Sequence, residues 1–330
     1  MALALPWTVG SESISPATMD QTTSEHRFGL AMAAVTSILW GFLAIALEVA
    51  VQWVPVTTIV WFRFLLAFLL LAAVLGGRDR RRLAILRRMP RLGLLAAVAL
   101  TGNYLAYLAG LDMTSPSNAQ VLIQIAPVLL AAVGVVVFKE QLSRRQMIWV
   151  LVVLAGMGLF YRDQLAHLVG NGAQHLSGNL WILLAAVVWT AYAALQKFAV
   201  RGGESPQELN LVLYLVPAVL LAPFADLQSL AGLSAGQWAL MIFLAVNTLL
   251  AYGALGEALK RLPAHEVSLV IVLNPLITLA VMAVLTALEV SWIAPDRTSG
   301  VGYAAALLVM LGVWGVLRRP PPATPATVRS

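Results

Sequence analysis

One pattern of apolar segments and marker residues occurs twice along this chain, about 148 positions apart. Each half carries a tyrosine, a proline 23 residues later and a glutamate 13 or 14 residues after that, at Tyr104, Pro127 and Glu140 and again at Tyr252, Pro275 and Glu289. A tryptophan pair, Trp40-Gly41 and Trp189-Thr190, recurs at nearly the same shift. The sequence therefore predicts two copies of one structural unit.

Each copy is too apolar to fold in water. Hydrophobic residues make up 60% of the 330 residues, charged residues only 11%, and the mean hydropathy is +0.86. A helix needs about 20 apolar residues to cross a bilayer. We predict an all-α integral membrane protein with ten such helices, five in each half, at 29–51, 55–75, 92–111, 118–138, 146–161, 179–199, 209–225, 237–258, 264–287 and 300–317.

The same reading divides the chain into five segments. The first residues are polar after Trp7 and have no basic start or long apolar stretch, which favours a tail over a cleaved signal peptide. The predicted segments are a disordered cytoplasmic tail (1–26), a first five-helix repeat (27–161), an outer loop (162–178), a second five-helix repeat (179–317) and a cytoplasmic tail (318–330).

Lysine and arginine predict the orientation of these helices, because basic loops stay on the cytoplasmic side. With both termini inside, eighteen of the 21 basic residues fall on the inner side, two fall outside and Arg63 lies within a span. The net charge of +6 is explained by this topology and by anionic lipid headgroups, without nucleic acid. Five helices per half is an odd number, so the second repeat enters the membrane inverted. Inverted repeats are typical of transporters that alternate between two conformations.

Two charged residues are predicted to lie at depth in the membrane, where an ionisable group is costly. Arg63 lies near the middle of the second span, and Glu48 lies in the outer third of the first. One interpretation is a salt bridge that joins spans one and two. The other is that one of the two residues contacts the solute or carries a proton.

Neutral polar and aromatic residues gather in spans one, three, four, six, eight and nine. Asn103 and Tyr107 share a helical face, as do Gln120 and Gln124, while Trp189, Tyr192 and Gln196 form a stripe and Asn247 lies mid-span. Each of them alone also fits a hydrogen bond between helices. Pro127 and Pro275 predict matching helix breaks, since proline removes a backbone donor.

These residues resemble the drug/metabolite transporter superfamily and, within it, the EamA family of ten-span bacterial permeases. The resemblance covers residues 27–317 and rests on Ile38-Leu39-Trp40-Gly41, Trp189, Pro127, Phe138-Lys139-Glu140-Gln141-Leu142, and Pro275 with Glu289. The chain departs from the family pattern at Thr190, where glycine or alanine is usual, and in the longer loop 290–299.

The resemblance implies a basket of helices in the bacterial inner membrane, with a central cavity that exports an amino acid, a related metabolite or a drug-like amphiphile. It implies cavity walls at Trp40, Asn103, Tyr107, Gln124, Trp189, Tyr192, Asn247 and Tyr252. The expected partners are a small-molecule solute and the lipid bilayer, and the expected state is a monomer or a weak homodimer.

The sequence limits the possible energy sources for transport. No Gly-Lys-Ser/Thr phosphate loop occurs, which leaves facilitated diffusion or proton coupling, with Glu48 as the candidate carboxylate. The alternative is a membrane-embedded enzyme or lipid-handling protein. No metal-ligand pair or Ser-His arrangement is visible within a span, so we predict neither catalysis nor a metal or cofactor.

Overall fold

A computed structural model describes residues 16–136, 144–166, 172–262, 267, 270–296 and 298–317. Over these residues the chain folds into α-helices joined by short connections and two 3-10 turns. The helices are α1 (Pro16–Ala50), α2 (Val56–Arg78), α3 (Ile85–Arg88), α4 (Arg91–Asp112), α5 (Pro116–Leu122), α6 (Ile125–Val136), α7 (Arg144–Ala166), α8 (Gly172–Arg201), α9 (Pro206–Leu221), α10 (Leu227–Ala231), α11 (Ala235–Arg261), α12 (Asn274–Ala287) and α13 (Gly300–Leu317). The 3-10 turns are Arg80–Ala84 and Ala222–Phe224.

Among the described residues, seven helical segments are long and apolar enough to cross a bilayer: α1, α2, α4, α7, α8, α11, and α9 together with the 3-10 turn Ala222–Phe224 that continues it. The apolar parts of α12 (Asn274–Ala287) and α13 (Gly300–Gly315) are shorter. Large apolar side chains point outward from them, among them Leu95 and Val98 on α4 and Leu151 and Leu154 on α7. In water this surface would be unfavourable, whereas lipid solvates it. The chain is therefore an all-helical integral membrane protein.

The helices pack in pairs that correspond between the two halves. A shift of about 148 residues converts α4 into α11 and the apolar part of α1 into α8. Accordingly, α4 packs along α8 and α1 packs along α11. The same shift relates the contact of α6 with α8 to that of α12 with α1. Two further pairs, α2 with α9 and α7 with α13, each join one helix to its own counterpart.

The core lies where α1, α2, α4, α8, α9 and α11 meet. Tyr104, Tyr192, Tyr214 and Tyr252 belong to one buried cluster there, and Trp40 is among the residues packed against it. A second cluster, which includes Val153 and Val309, joins α7 to α13 at the side of the bundle. The aromatic residues of the two halves thus meet at the centre.

Helix α1 begins at Pro16, within the segment 1–26 that the sequence predicts to be a disordered tail. Contacts with α11 hold the helix near Glu25 and Phe28. Glu25 accepts from Arg261 Nε at 2.7 Å, and the Arg261 guanidinium lies 4.6 Å from the centre of the Phe28 ring. Arg261 also pairs with Glu257 one turn earlier, at 2.5 Å.

The structure also differs from the prediction of an outer loop over 162–178. Helix α7 continues to Ala166 and α8 begins at Gly172, so the described residues of that range are helical. Residues 1–15, the 138–142 motif with Glu140, positions 167–171 and positions 318–330 lie outside the described residues.

The connection between α12 and α13 is anchored by two aspartates. Asp296 accepts a hydrogen bond from Ser117 Oγ at the start of α5, and its backbone N–H donates to Thr286 Oγ1 at 2.8 Å. Asp163 on α7 accepts from both the backbone N–H and the hydroxyl of Ser299, just before α13. A carboxylate is favourable there because it satisfies free N–H groups at the helix start.

Candidate functional site

An arginine lies at the centre of the bundle. Arg63 is the eighth residue of α2, and only 1% of its surface is exposed. Its Nη2 donates to Thr248 Oγ1 at 2.9 Å, and its Nε donates to the Leu244 carbonyl oxygen at 3.4 Å. The guanidinium carbon also lies 5.0 Å from the centre of the Tyr104 ring. All three neighbours are neutral, so the charge is held by dipoles and by one aromatic face.

The predicted salt bridge between Glu48 and Arg63 is not formed; in the described part of the chain, no ion pair involves Arg63. The reason is the order of packing. Helix α2 packs mainly against α9 and α11, while α1 packs mainly against α11 and α12, so the two residues lie on helices that have different main neighbours. Glu48 Oε2 is instead buried without a hydrogen-bond partner.

Two tyrosines join the halves of the protein beside Arg63. The hydroxyl oxygens of Tyr104 on α4 and Tyr252 on α11 lie 3.2 Å apart, and the two residues are separated by 148 positions, the period of the sequence repeat. Trp40 meets Tyr252 edge to face at 5.7 Å, and Phe64 meets Tyr104 in the same way at 4.9 Å. This contact joins equivalent positions of the two repeats.

The other predicted aromatic residues lie around the same core. Trp189 and Tyr192 on α8 contact each other at 6.3 Å between ring centres. Tyr192 belongs to the central cluster, and Trp189 and Tyr107 pack against it half-buried. Tyr107 Oη is buried and makes no hydrogen bond. The structure therefore brings Trp40, Tyr107, Trp189, Tyr192 and Tyr252 together around one centre.

The predicted amide side chains hold helices to one another. Asn103 Nδ2 donates to the Ala185 carbonyl oxygen on α8 at 2.9 Å, and Asn247 Nδ2 donates to the Leu39 carbonyl oxygen on α1 at 2.8 Å. These two bonds lie in the equivalent pairs α4–α8 and α11–α1. Asn247 Oδ1 is left buried and without a partner. The Asn103 and Asn247 amides thus form hydrogen bonds between helices, which is the alternative role that the sequence analysis left open.

Two helices are interrupted next to the prolines singled out in the sequence. Helix α5 ends at Leu122 and α6 begins at Ile125, and Pro127 is the third residue of α6. In the second half, α12 begins at Asn274, immediately before Pro275. Because Pro127 has no N–H, the carbonyl oxygen of Ile123 accepts from Ala126 N instead, at 2.9 Å.

Gln124 connects the two interruptions. Its Nε2 donates to the Val272 carbonyl oxygen at 3.4 Å, across another 148-residue separation. Hydroxyl groups connect the adjoining helices to the tryptophan segments: Thr278 donates to the Gly41 carbonyl oxygen at 2.6 Å and Thr190 to the Ala126 carbonyl oxygen at 3.4 Å. The freed backbone groups therefore lie against protein, as irregular backbone in a membrane must.

Two residues of this centre, Thr248 and Tyr214, were missed by the sequence reasoning. Thr248 accepts from Arg63, whereas Gln120, already placed on one face with Gln124, donates from Nε2 to the Trp40 carbonyl oxygen at 3.0 Å. Tyr214 on α9 packs against Phe64 and Tyr252, and its hydroxyl is buried and without a partner. A tyrosine within an apolar span was a usable signal, but Tyr214 has no counterpart in the first half.

Comparison with known proteins agrees with this arrangement. The sequence model of the EamA-like transporter family matches residues 27–162 and again 176–318, one match in each half. The chain belongs to the EamA-like transporter family. The family assignment indicates transport rather than catalysis.

Named relatives point the same way. The chain is 34% identical over 303 residues to the uncharacterized inner membrane transporter YhbE of Escherichia coli K12, covering 88% of this chain and 94% of YhbE. It is 31% identical to an uncharacterized transporter of Haemophilus influenzae, covering 86% and 92%. A Salmonella typhimurium relative, 26% identical over 86% and 92% of the two chains, is named a probable amino-acid metabolite efflux pump.

A solved structure supports the fold. A protein crystal structure that is 18% identical in sequence matches with a TM-score of 0.60, covering 87% of this chain and 96% of that one. The helical fold of this chain is thus shared with a solved protein.

Proposed function

We propose that the protein is a secondary transporter that exports amino acids or related small metabolites by alternating access. The contact between the Tyr104 and Tyr252 hydroxyls supports this most directly, because it joins equivalent positions of two repeats at a buried polar centre. Transporter sites are typically found where such repeats meet. The Salmonella typhimurium relative adds the solute class, since its name refers to amino-acid metabolites.

The proposed architecture is ten membrane helices in two inverted five-helix repeats. The correspondence of the packed pairs supports the repeat, and the one-sided distribution of lysine and arginine supports inversion, with both termini in the cytoplasm. Two inverted repeats can exchange conformations, so that a site open to one side becomes open to the other.

In this proposal the solute lies against the two tryptophans and the tyrosines of the centre, which offer flat apolar faces with one polar atom each. The interruptions before Pro127 and Pro275 act as hinges, because their backbone is held by few regular helical bonds. The proposed site residues are Trp40, Asn103, Tyr107, Gln124, Trp189, Tyr192, Asn247 and Tyr252.

The energy source is either the solute gradient or the proton gradient. Glu48 is the proposed proton site, because its Oε2 is buried without a hydrogen-bond partner. In that case Glu48→Gln abolishes efflux driven by a pH gradient and retains efflux down a solute gradient. If Glu48→Gln retains both kinds of efflux, facilitated diffusion is left as the mechanism.

Efflux from proteoliposomes tests the proposal. Vesicles containing the full chain are loaded with a mixed pool of amino acids, nucleosides and small amphiphiles, and the loss of each compound is followed. We expect selective loss of one class in wild type and little or none in Trp40→Ala/Trp189→Ala.

Trp181→Ala is the matched control, because Trp181 lies on α8 with Trp189 but is exposed on the surface of the bundle. It should export at the wild-type rate. Wild-type efflux from the double variant would refute the central site. No efflux above empty vesicles for any compound, with folded protein, would contradict transport of these solutes.

A further inference from the structure

We infer that Arg63 binds the carboxylate group of the transported solute, an assignment that rests on the proposed function and specifies its substrate class. Arg63 is the most deeply buried cation in the described chain, and it lies against Tyr104 of the central cluster rather than at a helix end. Ionisable side chains at such depth are rare, and they usually face a partner ion or a pathway.

The contacts of Arg63 leave its charge uncompensated. A guanidinium has five N–H donors. Nε donates to the Leu244 carbonyl oxygen and Nη2 donates to Thr248 Oγ1, while Nη1 is buried and has no hydrogen-bond partner. Both acceptors are neutral, and Thr248 Oγ1 itself donates to the Leu244 carbonyl oxygen at 2.9 Å. If Arg63 served only the structure, we would expect an acidic residue to neutralise its buried charge. No ion pair within the described residues provides one.

Further polar groups lie close to this uncompensated charge. The Tyr104 ring covers the guanidinium at 5.0 Å, and the Tyr104 hydroxyl lies 3.2 Å from that of Tyr252. Since only one of two paired hydroxyls donates to the other, the second keeps a free proton for an anionic oxygen. Arg63 Nη1 and this hydroxyl together provide two kinds of donor at the centre.

The chemistry of these groups favours a carboxylate over other ions. The planar guanidinium fork matches the two oxygens of a carboxylate. A phosphate dianion would need a second cation, and the residues in contact with Arg63, namely Leu244, Thr248 and Tyr104, carry no charge. A solute with only an amine would be repelled. The aromatic faces of Trp40 and Tyr252 then receive the apolar part of the solute.

Binding measured by thermal unfolding tests this assignment without requiring transport. Purified full-length protein is heated with matched acid and amide probes: leucine with leucinamide, phenylalanine with phenylalaninamide, isovalerate with isovaleramide, and inorganic phosphate alone. Wild type should be stabilised by at least one acid and not by its amide, because a ligand stabilises the state that binds it. Arg63→Met should weaken the binding of that acid at least tenfold, and Arg63→Lys should recover part of the lost affinity.

Arg88→Met is the matched control. Arg88 is an exposed arginine that pairs with Glu204 at 2.6 Å, so its loss removes a positive charge without affecting the centre. It should keep the wild-type preference for acids. The assignment is overturned if every amide binds as well as its acid, if phosphate stabilises more than any acid, or if Arg63→Met keeps the acid preference. If Arg63→Met fails to fold, the test is whether Arg63→Lys shows a smaller ratio of acid affinity to amide affinity than wild type does.

Efflux of the same pairs separates this inference from the proposed function. Equal efflux of acid and amide, unchanged in Arg63→Met, would overturn the carboxylate site and leave transport standing. Binding that depends on Arg63, with no efflux of any probe, would support the site and count against transport. Acid-selective efflux that is lost in Arg63→Met supports both.

Discussion

The crossing of α4 and α8 depends on Gly110, and replacing it with alanine should destabilise the protein. A Cβ added at Gly110 would lie 2.6 Å from the Gly178 carbonyl oxygen, 2.6 Å from Ile182 Cγ1 and 3.0 Å from Ile182 N. Ordinary contacts begin near 3.4 Å. Two of the three atoms belong to the backbone of α8, so no side-chain rotation relieves the clash and the helices must separate.

The magnitude follows from two opposing terms. Overpacking of this kind costs about 1–3 kcal/mol. Alanine is a better helix former than glycine by about 0.5–1 kcal/mol, which offsets some of that cost. We therefore expect Gly110→Ala to lower the free energy of unfolding by up to about 2.5 kcal/mol. Efflux should fall as well, because α4 and α8 carry Asn103, Tyr107, Trp189 and Tyr192.

Gly102→Ala provides the control on the same helix. Its Cβ would meet only Val188 Cγ1, at an ordinary 3.6 Å, so the propensity gain should remain and the variant should match or exceed wild-type stability. Thermal unfolding in detergent measures both variants side by side. Equal stability of Gly110→Ala and Gly102→Ala would refute the close crossing, because the two substitutions differ only in what the new methyl group meets.

Three further results are expected from unfolding measurements. Arg63→Ala and Glu48→Ala should combine additively to within about 0.5 kcal/mol, because no ion pair among the described residues joins the two side chains. A larger coupling energy would show that the two charges do interact. Tyr104→Phe and Tyr252→Phe should each lower the free energy of unfolding by about 0.5–1.5 kcal/mol. Because both remove the same hydrogen bond, the loss in the double variant should be smaller than the sum of the two single losses by the energy of that bond. Full additivity would contradict a hydrogen bond between the two hydroxyls. Asp163→Asn should cost about 1–2 kcal/mol by weakening the anchor at the start of α13, and a neutral effect would show that the carboxylate charge contributes nothing.

The sequence predicted features that depend on local chemistry. Apolar length places a helix in the membrane, so α2, α4 and α11 lie close to the predicted spans. The 148-residue period predicted which tyrosines are equivalent, and the structure places Tyr104 and Tyr252 in direct contact. Proline predicted where a helix is interrupted, although the interruption falls at Ile123 and Gln124, ahead of Pro127.

The partners of Arg63 could not be predicted, because they depend on which helices are neighbours. Spans adjacent in sequence are the simplest candidates for pairing, and this expectation favoured Glu48. In the bundle α2 instead packs against α11, which supplies Thr248 and Leu244. Nothing local to residue 63 or residue 248 carries that information, since they are separated by 185 positions.

The two repeats share their helix packing, but the buried arginine occurs in one of them only. Solute binding and conformational change are therefore expected to depend on different residues. A shift of 148 residues takes Arg63 to Leu211 and takes Thr248 back to Leu100, so donor and acceptor each occur in one half only. They meet because the halves pack across the centre, so the proposed site would have one polar side and would hold a solute in a single orientation. The helix crossings, in contrast, are duplicated, and the proposed conformational exchange between the two repeats would depend on them. Variants at Arg63 should therefore change which solute binds, whereas variants at Gly110 should change how readily the bundle forms and moves.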